Sequence, residues 1–366
     1  MKNYSSRYSK YALGLFVFIL TLSLVHWIGN SGFLRPGVVG AKITQQTIVF
    51  DKANPQVQAV MAVQNRHTPD LMALPEVVGT ATGLTEAGRP AILVFAKNAV
   101  EPGVIPRSLE GTPVVVKVTG EIFAMPRKPK PDKPAKDRVD PTARFDRPVP
   151  IGVSTGNEDE CSAGTIGARV KDDSGNVYAL SNNHVYALEN KASSDSRVLQ
   201  PGLYDTNCVF SPENVIGTLS DFVSIDFNGD DNTVDAAIAI SSTDNLDNAT
   251  PSNGYGIPKS ATVTASIDQA VQKYGRTTSL TKGTITAIGA TMRVTYGFGT
   301  AIFVNQIVVE SRKPFIKPGD SGSLLVTYRE RNPVGLLFAG NPTGKLALAN
   351  PIDAVLGNFG VTIDGE

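Results

Sequence analysis

Three residue types at separated positions could together perform acyl chemistry: a serine in a glycine-flanked turn, a histidine and an aspartate. Lys317-Pro318-Gly319-Asp320-Ser321-Gly322-Ser323 reads as a tight turn that presents one hydroxyl before the apolar run Leu324-Leu325-Val326. A serine hydroxyl is a weak nucleophile near neutral pH unless a base takes its proton. It also needs donors for the oxyanion formed on attack at a carbonyl. Gly319 and Gly322 lack Cβ atoms, so the chain can turn sharply and the N–H groups of Gly319 and Ser321 can face one hollow. The base would be His184, which follows an apolar strand in Ala179-Leu180-Ser181-Asn182-Asn183-His184 and is the one histidine after the proline-rich stretch. A carboxylate must then fix the imidazole tautomer. Asp235 is the first choice, because it opens Ala236-Ala237-Ile238-Ala239-Ile240, and a carboxylate there is costly to bury without a partner. Asp221 and Asp226 are the alternatives.

The elements that must hold these groups are mostly strands. Gly and Pro number 34 and 24 and charged residues are 19%, a texture that favours an all-β part with many turns. From Ile151 onward short apolar runs are punctuated by Gly, Asn and Asp. Thr165–Val170 and Val177–Leu180 flank Asp172-Asp173-Ser174-Gly175-Asn176, a hairpin signal. Further strands are expected at 215–219, 235–240, 262–267, 283–288, 292–296, 302–309, 324–328 and 334–338.

Upstream, residues 43–125 read as a small α+β domain, a candidate pro-region. It is expected to have an amphipathic helix over 55–74 with a break at Pro69, and strands at 77–84, 91–96 and 114–118. His67 lies there in a polar stretch and is expected at the surface. Residues 126–150 carry Pro126, Pro129, Pro131, Pro134, Pro141, Pro148 and Pro150 among interleaved charges. They are expected to form an extended, mobile basic linker.

Residues 1–42 are expected to be a signal peptide or N-terminal membrane anchor. Lys2, Arg7 and Lys10 precede an almost unbroken apolar run from Tyr11 to Ile28. Export follows as the expectation: secreted, periplasmic or membrane-anchored, with the membrane touched through this segment alone. Cys161 and Cys208 then read as one disulfide. A net charge of zero excludes any global attraction to nucleic acid. No cofactor is called for: the cysteines lack metal-ligand spacing, and histidine is scarce. Asp226, Asn228 and Asp230 alternate like the start of a calcium loop. Asp231 and Ala237 stand where such a loop needs Gly and Glu, which rejects it.

The motifs also carry a resemblance. Gly275-Arg276-Thr277-Thr278-Ser279 followed by Gly283-Thr284-Ile285 resembles the Gly-Arg-Thr-Thr-Gly…Gly-Thr-Ile pattern of bacterial streptogrisin-like proteases, with Ser279 in place of a glycine. With Leu180 to His184, Val234-Asp235-Ala236-Ala237 and the order His, Asp, Ser, residues 151–350 look most like the plant narrow-leaf type of trypsin-like serine protease and its bacterial relatives. The resemblance implies a mainly β fold, a chymotrypsin-like double β-barrel over 151–366. It implies a Ser321–His184–Asp235 triad, an oxyanion hole at Gly319 and Ser321, and a protein or peptide substrate. Phe315 would lie at the base of the primary pocket, arguing against cleavage after Lys or Arg. Phe338-Ala339-Gly340 would form the pocket wall and the substrate-pairing edge, and a small or medium apolar residue is the expected preference. Ile151-Gly152-Val153 could offer a new N-terminus to Asp320, although the preceding Pro150 suits few activating proteases. The other function consistent with the residues is a catalytically silent binding or scaffold protein at the cell surface. Oligomeric state is left open.

Overall fold

The computed structural model describes residues 48–124 and 139–366. The expected signal or anchor segment and the first part of the proline-rich stretch lie outside the described residues. Residues 48–366 form one compact unit.

Helix α1 (Pro55–Met72) begins where Asn54 accepts from the N–H groups of Gln56 and Val57, with Pro55 in the first turn. It runs on through Pro69, contrary to the expected break. Pro69 lies in the last turn, where its ring removes one hydrogen bond near the helix end. Strands β1 (Val77–Leu84), β2 (Pro90–Ala96), β3 (Ser108–Leu109), β4 (Thr112–Val118) and β5 (Phe123–Ala124) follow. α1 buries Val57, Val60 and Val63.

Next come β6 (Ser154–Asn157), β7 (Gly164–Thr165), β8 (Ala168–Asp172), β9 (Val177–Ser181), the short helix α2 (Asn183–Tyr186), β10 (Arg197–Leu199), β11 (Val215–Phe222), β12 (Asp231–Asn232) and β13 (Ala237–Ser241). In the first sheet the pairing order is β8-β9-β13-β11-β10-β6-β7. β7 and β8 are two halves of one kinked stretch, and Ile166 and Gly167 between them bond to Val153 and Leu180. The ring therefore closes. Its interior holds Val153, Ile166, Ala179, Val198, Ile216, Leu219 and Ala239.

The second sheet is built from β14 (Ala270–Gly275), β15 (Ser279–Thr295), β16 (Thr300–Glu310), β17 (Leu324–Thr327), β18 (Pro333–Gly340) and β19 (Leu346–Pro351). The order β16-β19-β18-β17-β14-β15 is closed by β15–β16 pairing. Helix α3 (Ile352–Phe359) and β20 (Val361–Ile363) end the chain, and β20 returns to pair with β8. The fold is thus mainly β, a chymotrypsin-like double β-barrel. An apolar cluster containing Leu180, Ile238, Leu324, Leu336 and Val355 fills the space between the barrels.

Several expectations needed adjustment. The runs at 283–288 and 292–296 form one long strand, because Gly289 adopts φ +60 and absorbs a register shift within β15. Residues 262–267 make no strand beyond a single bridge from Ile267 to Phe50. The N-terminal α+β segment is not set apart from the sheet of the second barrel: β1 pairs along β15. Residues 140–150 are held against the first barrel rather than free. Phe145 and Val149 pack on its core, Gln200 bonds the backbone of Ala143 and Phe145, and Arg147 donates to the carbonyls of Glu213 and Val215.

Candidate active site

The first barrel places His184 beside Asp235 by strand adjacency. β9 and β13 are hydrogen-bonded neighbours, with Ser181 opposite Ala237. His184 follows β9 on α2, and Asp235 precedes β13, so both project from the same end of that pair. The His184 Nδ1 lies 2.5 Å from Asp235 Oδ2, and the His184 backbone N–H donates to Oδ1 at 3.2 Å. A carboxylate can only accept, so Nδ1 carries the proton and Nε2 is left as the base. Nε2 is buried and has no hydrogen-bond partner among the described residues.

Asp235 has further partners that sequence reasoning missed. Tyr296 donates its hydroxyl to Oδ2 at 2.9 Å. The Tyr296 phenol is pushed well above its usual pKa by burial, and next by the Asp235 charge, so it stays a neutral donor. Its ring meets the imidazole edge-on at 5.9 Å and stacks on Phe303. The Asp235 N–H donates to Asn350 Oδ1 (3.1 Å), and its carbonyl accepts from Asn182 Nδ2 (2.7 Å). Tyr296 and Asn350 come from the second barrel, so an aspartate on the first is oriented by the second. No local pattern signals this, because the partners are 61 and 115 residues away.

The second barrel carries the loop with Gly319, Ser321 and Gly322 just before β17. Gly319 and Gly322 have φ of +97 and +89. A Cβ at Gly319 would meet Thr277 Oγ1 at 2.5 Å, and one at Gly322 would meet the Thr165 carbonyl oxygen at 2.3 Å, so both space and backbone demand glycine. The N–H groups of Gly319 and Ser321 donate to no protein acceptor among the described residues. Ser321 Oγ donates to the Phe338 carbonyl at 3.3 Å. The loop and the imidazole share a support in β7. Thr165 N–H donates to the Ser321 carbonyl, and the Thr165 carbonyl accepts from Ser181, both at 2.8 Å. Ser321, His184 and Asp235 are each buried, with exposures of 0%, 1% and 0%.

Asp320 fixes the loop from behind. It accepts from the N–H groups of Thr277 (2.9 Å), Thr278 (3.1 Å) and Lys317 (2.9 Å) and from the Thr278 hydroxyl (2.7 Å). Lys273 Nζ, fully buried, is 3.3 Å from Oδ1. Burial pushes the Lys273 ammonium down from 10.5, and Asp320 opposes that shift. In the intact chain Lys273 faces Asp320, and the Ile151 N–H donates to the Ala249 carbonyl. Arg276 forms a buried two-pronged pair with Asp205. The Gly-Arg-Thr-Thr run held the signal for Arg276, Thr277 and Thr278 as loop supports, and Lys273 stands just before it.

Other expected residues fall as follows. Phe315 is fully buried in the interior of the second barrel with Ile285 and Val309, so its ring is core. Ile316 and Pro318, next along, line a cleft of about 460 Å³ instead. Phe338 points into the core against Phe303 (4.8 Å between ring centroids), and Ala339 and Gly340 form a strand edge that is already paired. Cys161 and Cys208 are joined in a disulfide with Cα atoms 5.2 Å apart. His67 bonds Glu110 on the N-terminal segment. Asp226 caps a turn, accepting from the N–H groups of Asn228, Gly229 and Asp230, and Asp221 bonds the adjacent Phe222 N–H.

Comparison with known proteins gives one family model, the Nal1 C-terminal domain, matching residues 208–363. That span contains Asp235 and Ser321 but begins after His184. No curated protein matches. Among solved structures, a glutamic acid specific serine protease is 22% identical with a TM-score of 0.42, covering 59% of this chain and 100% of its own. Cellulomonas bogoriensis chymotrypsin is 23% identical with a TM-score of 0.41, covering 61% and 100%. Thermobifida fusca protease A is 19% identical with a TM-score of 0.43, covering 60% and 100%.

Proposed function

We propose that this protein is a serine endopeptidase that hydrolyses peptide bonds through an acyl-enzyme. The observation that carries the reading is the buried, unpartnered His184 Nε2, set by the Asp235 bond on Nδ1, with Thr165 of β7 bonded both to Ser181 at the end of β9 and to the glycine-flanked Ser321. Ser321 Oγ attacks the scissile carbonyl while its proton passes to Nε2. The free N–H groups of Gly319 and Ser321 receive the oxyanion. His184 then returns the proton to the leaving amine, and a water hydrolyses the ester by the same route. Asp235 holds the imidazole throughout and stabilises its cation. In this mechanism Ser321 turns from the Phe338 carbonyl to Nε2 when substrate enters, in keeping with catalytic bonds that tighten only in the complex.

A small or medium apolar side chain is the preference that fits a cleft walled by Ile316 and Pro318. The apolar N-terminal run and the paired cysteines support an exported enzyme; a secretion reporter fused after residue 42 checks this, and cytosolic retention would refute it. A fluorophosphonate probe tests the nucleophile directly. Labelling of the full chain that disappears in Ser321→Ala is expected. Persistence of labelling in that variant sinks the assignment. A silent binding protein is the second reading, favoured by the Ser321–Phe338 bond; an unlabelled wild-type chain would support it.

A further inference from the structure

The edge expected to pair with substrate is not vacant. β5 lies antiparallel to the end of β18, with Ala124 opposite Ala339 and Phe123 opposite Gly340. Antiparallel addition to a sheet edge is how an extended peptide is bound by its backbone. The residue preceding Ala339 is Phe338, whose carbonyl accepts the Ser321 hydroxyl. β5 thus runs along the strand that leads directly to the nucleophile. Phe123 and Ala124 also line the cleft beside Ile316 and Pro318. Ser321 and His184 are both shielded from solvent.

β5 is lightly held on its other side. It meets β15 at one position, Thr295 against Phe123, with Thr295 N–H donating to the Ile122 carbonyl at 2.9 Å. Ile122 and Ala124 are buried against the second barrel's core, whereas Phe123 is half-buried. A two-residue strand with that footing is a docked peptide rather than a barrel stave, since the barrel closes through β15–β16 without it.

We propose that Phe123–Ala124 occupies the acyl-side substrate groove as a tethered peptide, so that the chain blocks its own site. The inference rests on the peptidase reading and extends it to substrate class. A peptide that replaces β5 carries a small residue opposite Ala339 and an aromatic or other large apolar residue opposite Gly340. Release of β5 is then the regulated step that exposes the groove.

The test uses the full chain with Ala124→Glu, which puts a charge into the buried position, and Phe123→Ala as a milder variant should the first fold poorly. Two readouts separate the groove from the chemistry. In a Ser321→Ala background, a fluorescein-labelled Glu-Ile-Phe-Ala peptide should bind when Ala124→Glu or Phe123→Ala is also present and not otherwise. With Ser321 intact, either variant should raise kcat/KM on peptides with an aromatic and a small residue on the acyl side, mainly through KM. The expected gain is roughly tenfold or more, since a short tether holds its peptide at an effective concentration on the order of millimolar. Failure of the peptide to bind any variant, or a fall in both kcat/KM and Tm, would overturn the inference and make β5 a structural strand. Peptide binding without probe labelling of any form would leave the occupied groove standing and remove the peptidase reading instead.

Discussion

The two barrels position their parts of the candidate site by different physical means. The first brings His184 and Asp235 together through neighbouring strands, so their contact follows from the β9–β13 register. The second presents Ser321 on a loop with two positive-φ glycines, outside the regular strands but bonded to them where Gly322 N–H meets the Leu337 carbonyl and Thr165 N–H meets the Ser321 carbonyl. That loop is fixed by Asp320, whose partners come from Lys273, Thr277, Thr278 and the loop's own Lys317 N–H. A strand pair is rigid by backbone bonding. A loop of this kind needs a buried charge with every lone pair engaged, a high-stakes arrangement in a low-dielectric interior.

The comparison is broken most severely on the first-barrel side. Asp235→Asn should leave the fold in place and cost about 10⁴-fold in kcat, because an amide can hold the wrong imidazole tautomer. Peptide hydrolysis with an unchanged Tm would check it, and a loss under tenfold would argue that Asp235 is not the orienting carboxylate.

On the second-barrel side, Lys273→Met leaves Asp320 buried without its cation. Destabilisation of about 3–5 kcal/mol is expected, with loss of probe labelling at Ser321, read by denaturant melts and labelling rates. The same lysine gives a pH signature. Its folded pKa lies below 10.5, so in the window between that value and 10.5 the unfolded chain binds the extra proton and stability rises with pH. The loop loses its counter-ion in that same window. Activity should therefore fall on the alkaline side while Tm holds or rises.

Tyr296→Phe tests the bond that crosses from one barrel to the other. Hydrogen bonds to charged groups contribute about 1.5–3 kcal/mol, so a loss of about 10–100-fold in kcat/KM is expected. An unchanged value would mean that the first barrel orients Asp235 unaided.

The smallest effect lies outside both barrels. Arg66 and then His67 hold the exposed Glu110 carboxyl at about 2. Its contribution to stability is present above the unfolded value of 4.5 and lost as pH falls toward 2. Glu110→Gln should flatten that small acid-side loss of Tm and leave peptide hydrolysis untouched, with the wild-type effect fading in high salt.

What was legible in the sequence follows physical scale. Ser321 was readable because its loop needs glycines at two fixed offsets, and His184 because one histidine follows an apolar strand. Asp235 stood out as a carboxylate at the head of a run that must be buried. Strands with clear alternation or bounded apolar runs, such as β9, β11 and β16, were visible for the same reason. β14, β19 and α3 were not, since their apolar residues mark burial without distinguishing one element type from another. Phe315, which the resemblance implied to lie at a pocket base, has its ring buried in the second barrel, a packing that no local spacing encodes.

The sequence by itself determined the local requirements: a mainly β chain, the nucleophile turn, the capped helix α1 and the residue types for acyl chemistry. Tertiary structure decided which distant groups complete them. Lys273 faces Asp320, Tyr296 and Asn350 reach across to Asp235, and β5 lies on the edge of β18. These contacts join residues tens to hundreds of positions apart. They arise only when two closed barrels pack with an apolar seam between them, which no local spacing encodes.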